Sequence, residues 1–94
     1  MDNRPSLDLL ESTHFFPGTY QIKAIGSADR DFAGRVLAAV TQELASPMEL
    51  DHSVRTTRGG RHVAVTLDIT VQTAGQVREI YQRIQEVDGL TLLF

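Results

Sequence analysis

An α+β sandwich, with one four-stranded antiparallel sheet carrying two helices on a single face, is the fold class the sequence predicts. Three observations carry it. Apolar residues alternate at period two from Thr19 to Ile25 and again from Val63 to Val71, the spacing of half-buried strands. Phe32, Val36, Val40 and Leu44 recur every four positions, and Val77, Ile80, Tyr81 and Ile84 mark a second helical stripe. Gly26, Pro47, Gly59-Gly60 and Gly89 divide these stretches into strand, helix, strand, strand, helix, strand.

In the first strand Tyr20, Ile22 and Ala24 share one face, Gln21 and Lys23 the other, and Gly26 is expected to stop it. Ser27 reads as the N-cap of the first helix, with Asp29 and Asp31 near its positive end. That helix should run about four turns and end before Pro47. Residues 48–57 and 61–71 form a hairpin around a two-residue Gly59-Gly60 turn. The turn sets Val54 opposite Val65 and His52 opposite Leu67 on the covered face, with Arg55 opposite Ala64 and Ser53 opposite Thr66 on the other. Val63 to Val71 is β-branched and free of proline, so it is expected at the sheet centre.

Thr73 and Gln76 have the spacing of a capping box, and Glu79 with Arg83 forms an i,i+4 pair in the favourable order. Gly89 suits a left-handed C-cap before a last strand at residues 90–94. Right-handed crossovers leave one arrangement, spatial order 4-1-3-2 with both helices on one face, which is the ferredoxin-like βαββαβ sandwich. The other face, with Gln21, Lys23, Ser53, Arg55, Thr66, Asp68 and Thr70, stays wet. Residues 1–13 are expected as a flexible arm anchored by Leu10, Phe15 or Phe16, and 14–94 as a single domain.

Composition narrows the function. The 94 residues include no cysteine, which removes disulfides, thiolate metal sites and cysteine nucleophiles. A net charge of −3 argues against a general affinity for nucleic acid or anionic membrane. No apolar run approaches the roughly 20 residues that span a bilayer, and residues 1–12 lack the apolar core of a signal peptide. A cytoplasmic location is therefore expected.

Each chemistry this architecture could host requires particular residues. A phosphate-ester or acyl-phosphate hydrolase would use Gly26, Ser27 and Arg30 after the first strand. Asp29 and Asp31 put negative charge in the same turn, and the longer glycine-rich cradle is missing. His14, His52 and His62 have no metal-site spacing, and His52 and His62 belong to opposite faces of the hairpin. No metal and no cofactor is implied. RNA binding would need aromatic rings on the open face, where Gln21, Lys23, Ala64, Thr66 and Asp68 stand instead. Two regions remain as candidate ligand sites. One is the basic hairpin tip, Arg55, Arg58, Arg61 and His62, whose guanidinium forks suit carboxylates and phosphates. The other is Gly26 with Ser27, where the first strand meets the first helix.

Leu9-Leu10-Glu11, Phe16-Pro17 and Thr19-Tyr20 with a strand closing at Gly26 resemble the YbeD-like family of small bacterial proteins of unknown function. The likeness continues at Arg58-Gly59, His62-Val63-Ala64-Val65-Thr66, Ile80-Tyr81 and the segment 87–94. The resemblance implies a ferredoxin-like fold similar to ACT regulatory domains, which bind small metabolites and associate through sheet edges and helices. It assigns no catalytic residue. The chain departs from the family in a longer polar start. The expected function is a non-catalytic regulatory or interaction module for a small metabolite or protein partner, with homodimerisation through sheet edges. The alternative is the small hydrolase.

Overall fold

A computed structural model describes residues 4–94. Helix α1 (Leu7–Thr13) leads into β1 (Gly18–Ser27), α2 (Phe32–Thr41), a 3-10 turn (Pro47–Glu49), β2 (Leu50–Thr56), β3 (His62–Val71), α3 (Ala74–Gln85) and β4 (Leu90–Leu93). The sheet is antiparallel in the order β2-β3-β1-β4, the expected arrangement read from its other edge. Ile22, Ala24, Val65, Leu67, Ile69 and Val71 on one sheet face pack against Phe32, Val36 and Val40 of α2 and Val77, Ile80, Tyr81 and Ile84 of α3.

Residues 7–13 depart from the flexible arm expected of 1–13. They form α1, capped by the Ser6 hydroxyl, which accepts the Leu9 N–H at 3.1 Å. Leu10 is 1% exposed and belongs to the core, while Phe16 packs against it and Phe15 stays in solvent. The Arg78 Nε donates to the Pro5 carbonyl at 3.0 Å, tying the chain ahead of α1 to α3. Residues 1–3 of the expected arm lie outside the described residues.

β1 runs through Gly26 rather than stopping there, pairing Gly26 with Val63 and Ser27 with His62. Glycine is needed because the Phe32 ring lies against the strand and a Cβ would overlap it. The cap of α2 is Asp31, not Ser27. Arg30 and Asp31 are both left-handed, with φ of 54° and 53°, and the Asp31 carboxylate accepts the Gly34 N–H at 3.2 Å. α2 is correspondingly shorter than four turns, and Leu44 reaches the core from the turn beyond it.

The β2–β3 register is the one the sequence predicts, Val54 with Val65 and Arg55 with Ala64. The turn is not. Strand pairing ends at Thr56 and Val63, and the Gly60 N–H donates to the Thr57 carbonyl at 2.9 Å. Lengthening a hairpin loop by the same number of residues on each side, here two, leaves the register unchanged, so a longer loop still delivers the expected pairs. His52 and Val54 do face the helix side, yet both are exposed, Val54 at 47%. The helices cover β3 and β1 and leave the edge strand β2 bare, so His52 is not the packed residue its register suggests.

At α3 half of the capping box forms. The Thr73 hydroxyl accepts the Gln76 N–H at 3.1 Å, but the Gln76 side chain accepts the Gln72 N–H at 2.7 Å. Arg83 reaches across to Glu43 at 2.7 Å instead of pairing with Glu79, which meets Arg4 at 3.9 Å. Gly89, at φ 94°, turns the chain into β4.

Candidate functional site

The open sheet face is built in rows that run across the strands. Register places Arg55, Ala64, Ile25 and Leu92 in one row. Ser53, Thr66 and Lys23 form the next, joined by Phe94, whose N–H and C=O bond the Lys23 backbone at 2.8 and 3.1 Å. A third row holds Asp51, Asp68 and Gln21, with the Gln21 amide donating to Asp68 at 2.9 Å. The face is therefore split. Its β4 side is apolar, with Leu92 50% and Phe94 62% exposed. Its β2 side carries Arg55 with the Ser53 and Thr66 hydroxyls, Lys23 of β1 stands between Thr66 and Phe94, and Asp51 and Asp68 close the end away from the hairpin loop.

Two open hollows meet on this face at Lys23. One, of about 370 Å³, is lined by Gln21, Lys23 and Phe94. The other, of about 200 Å³, is lined by Lys23, Ser53, Arg55, Ala64 and Thr66. A larger hollow of about 500 Å³ lies off the β4 edge, against Tyr81, Gln85 and β4.

The two candidate regions lie at one end of the sheet. Ser27 pairs with His62, and the Ala28 N–H donates to the Arg61 carbonyl at 2.9 Å. Arg58 stands in the loop above, and Arg55 begins the basic row below. Gly26 is not part of that surface, because its buried face lies under Phe32. Arg35, which no motif singles out, holds this end together. Its Nε donates to the Arg30 carbonyl at 2.9 Å and its Nη1 to the Asp88 carbonyl at 2.7 Å, with the guanidinium 5.9 Å from the Phe32 ring centre.

Charge is sorted across the molecule. Arg35, Arg78 and Arg83 are engaged in structural contacts on the helix side. The side chains of Lys23, Arg55, Arg58 and Arg61 make no hydrogen bond or ion pair with any described residue. The junction after β1 offers little to an anion. The Ser27 N–H bonds the Gly89 carbonyl, the Ala28 N–H bonds Arg61, and the Asp29 N–H is 3.4 Å from the Ser27 hydroxyl, which itself donates to the Asp29 carboxylate. Among the described residues no group of three His, Asp or Glu side chains could hold a metal ion. Nor is any described helix long and apolar enough to cross a membrane.

Behind the core, the Tyr20 and Tyr81 hydroxyls lie 3.3 Å apart and the rings meet edge to face at 6.2 Å. Burial, reinforced by the Tyr20 hydroxyl, pushes the Tyr81 phenol well above the ordinary tyrosine range. His14 stacks obliquely on Tyr20 with ring centres 4.7 Å apart, so it serves the α1 corner.

Comparison with known proteins agrees with this architecture. The fold is similar to the solution structure of protein HP0495 from H. pylori, with a TM-score of 0.69 at 15% identity, covering 87% of this chain and 86% of that one. It is also similar to the ACT domain from GTP pyrophosphokinase of Chlorobium tepidum, with a TM-score of 0.59 at 13% identity, covering 81% and 94%. In sequence it is 35% identical over 75 residues to a UPF0250 protein of Shewanella frigidimarina and 31% identical to one of Shewanella piezotolerans. Both alignments cover 80% of this chain and 83% of the relative. Residues 11–93 match a protein family of unknown function, so this chain belongs to the DUF493 (UPF0250, YbeD-like) family.

Proposed function

We propose that the protein is a cytoplasmic, non-catalytic module of regulatory or interaction type. It holds an anionic group of a metabolite or protein partner between Lys23 and Arg55, with Arg58, Arg61 and His62 supplying further positive potential. One observation carries this reading: four cations with no side-chain hydrogen bond or ion pair to any described residue gather on one face and loop of a chain whose net charge is −3. Lys23 and Arg55 flank Ser53 and Thr66, so two positive charges and two hydroxyl donors line one hollow. That is a donor set suited to a carboxylate or phosphate. Ser27 serves the site as the backbone neighbour of His62.

The experiment is a thermal-shift panel of amino acids, nucleotides, short acyl acids and phosphometabolites. A ligand at 100 times its Kd adds about 2.7 kcal/mol, a shift of about 10 °C or more in a chain this short. A saturable shift lost in Lys23→Ala and in Arg55→Ala supports the site. A shift unchanged in both removes it. The hydrolase reading is weaker, because the Ser27, Ala28 and Asp29 amides bond within the chain. Turnover of an acyl phosphate that is abolished by Arg30→Ala would restore it.

A further inference from the structure

We propose that the open sheet face docks an acidic amphipathic segment of a partner protein. Its apolar side covers Ile25, Leu92 and Phe94 while its carboxylates meet Lys23 and Arg55. This rests on the anion-binding reading of the same face and names its partner.

Two features of the face point this way. First, cations and apolar side chains share the same two rows, Arg55–Ala64–Ile25–Leu92 and Ser53–Thr66–Lys23–Phe94, with Lys23 beside Phe94. A free inorganic anion uses only Lys23, Arg55 and the hydroxyls and leaves Leu92 and Phe94 in water. A ligand with one apolar and one acidic side uses both sets. Second, the Lys23 and Arg55 side chains have no hydrogen bond or ion pair to any described residue, while Asp51 and Asp68 close the far end. Carboxylates are therefore drawn toward the hairpin end and repelled from the other, which fixes the direction in which a segment lies.

The size of the face selects the class of occupant. The four strands, of 10, 10, 7 and 4 residues, rise ~3.3 Å per residue at a spacing of ~4.8 Å and cover a plane of roughly 500 Å². A stable dimer buries ~800 Å² on each partner, so a second copy laid face to face would be held poorly. A single helix, about 10 Å across with its side chains, or one extended segment, fits the strip. The two hollows are shallow and open to one side, which suits a segment lying across them better than a small molecule that must be enclosed.

A photo-crosslinking residue placed at Thr66, in the middle of the face and two strands from β4, tests this in lysate of the source organism. The same residue at exposed Ala38 on α2 serves as control. The sequence of the crosslinked segment is read by mass spectrometry. A segment combining apolar residues with Asp or Glu, captured from Thr66 and not from Ala38, is expected. Its yield should fall at least ~10-fold in Lys23→Glu/Arg55→Glu and also in Phe94→Ser, with unchanged circular dichroism in both. A segment without acidic residues, a segment of a second copy, a yield indifferent to these variants, or no yield above the Ala38 control overturns the proposal. Thermal shifts with inorganic phosphate and citrate are measured on the same variants. An anion shift that Lys23→Glu/Arg55→Glu abolishes, without acidic crosslinks, sinks the docking proposal alone. The absence of both sinks the anion-binding reading with it.

Discussion

Arg35 shows how a charged residue can be structural in a protein whose sheet-face cations bond no described side chain. It donates to the Arg30 carbonyl behind it and the Asp88 carbonyl ahead of it, joining the left-handed turn after β1 to the turn before β4. Both acceptors are backbone groups in loops with no strand to satisfy them, so a charged donor there contributes more than a surface ion pair. Arg35→Ala should cost about 1–2 kcal/mol, seen as a fall of roughly 5–15 °C in Tm. Arg35→Lys should recover only part of that, since one ammonium cannot reach both carbonyls in the fork geometry. Tyr81 gives a second test at this scale. Its phenol keeps its proton in the folded state to a higher pH than in the unfolded chain, first because it is buried and then because it bonds Tyr20. Below pH ~10, the unperturbed tyrosine value, both states are protonated and Tyr81 adds no pH dependence. Above it the unfolded chain ionises first, so stability should fall as pH rises. Tyr81→Phe should flatten that alkaline slope in Tm measured from pH 8 to 11, and an unchanged slope would assign it to other groups.

Elements differ in how openly the sequence declares them. Strands and long helices are legible because each spends several residues on one periodic face, as Val63 to Val71 does across a whole buried stripe. α1 is not, because a helix of 7 residues with Leu10 as its one buried residue has no period to detect. The cap of α2 is hidden for a related reason. Ser27 and Asp31 are both good caps, and only the left-handed pair at Arg30 and Asp31 decides between them. In the candidate site the cations are legible one by one, and the hairpin turn fixes Arg55 relative to Ala64. That Leu92 and Phe94 belong to the same face is not legible. β1 and β4 are remote in sequence, no turn sets their register, and a bulge between Ile25 and Gly26 shifts it. The hairpin loop separates two glycines that look alike in sequence. Gly60 has φ 73°, whereas Gly59 lacks a left-handed φ and a Cβ there would meet no atom within 4 Å. Gly60→Ala should therefore destabilise by about 1–2 kcal/mol, while Gly59→Ala should be neutral or stabilise by up to ~1 kcal/mol through the unfolded chain. Chemical denaturation of the two variants side by side reads the difference, and equal effects would place the strain elsewhere in the loop.

At the scale of the whole molecule, the sheet ends in two unlike edges. β2 presents Asp51 and Arg55 among exposed residues, and such charges discourage a second strand from pairing. β4 presents Leu-Thr-Leu-Leu, followed by Phe94, with no charged side chain and with the hollow of about 500 Å³ running beside it. Its protection is its shortness and the bulge opposite Gly26. Self-association through the sheet edges, expected from the sequence, should therefore favour β4. An antiparallel pair of β4 strands would continue the sheet across a two-fold axis, with the helices of both copies on the same side. Four residues allow only a few backbone hydrogen bonds, each contributing about 1 kcal/mol net. Most of the remaining stabilisation must come from Leu92 and the residues lining the hollow, at roughly 25 cal/mol per Å² of apolar surface buried. The association should consequently be weak and concentration-dependent. Light scattering should show the mass rising from one chain toward two as concentration increases. Thr91→Lys, which adds the charge the edge lacks, should hold the protein at one chain, and His52→Lys on β2 should change nothing. A single-chain mass at every concentration would mean that shortness and the bulge suffice to close the edge.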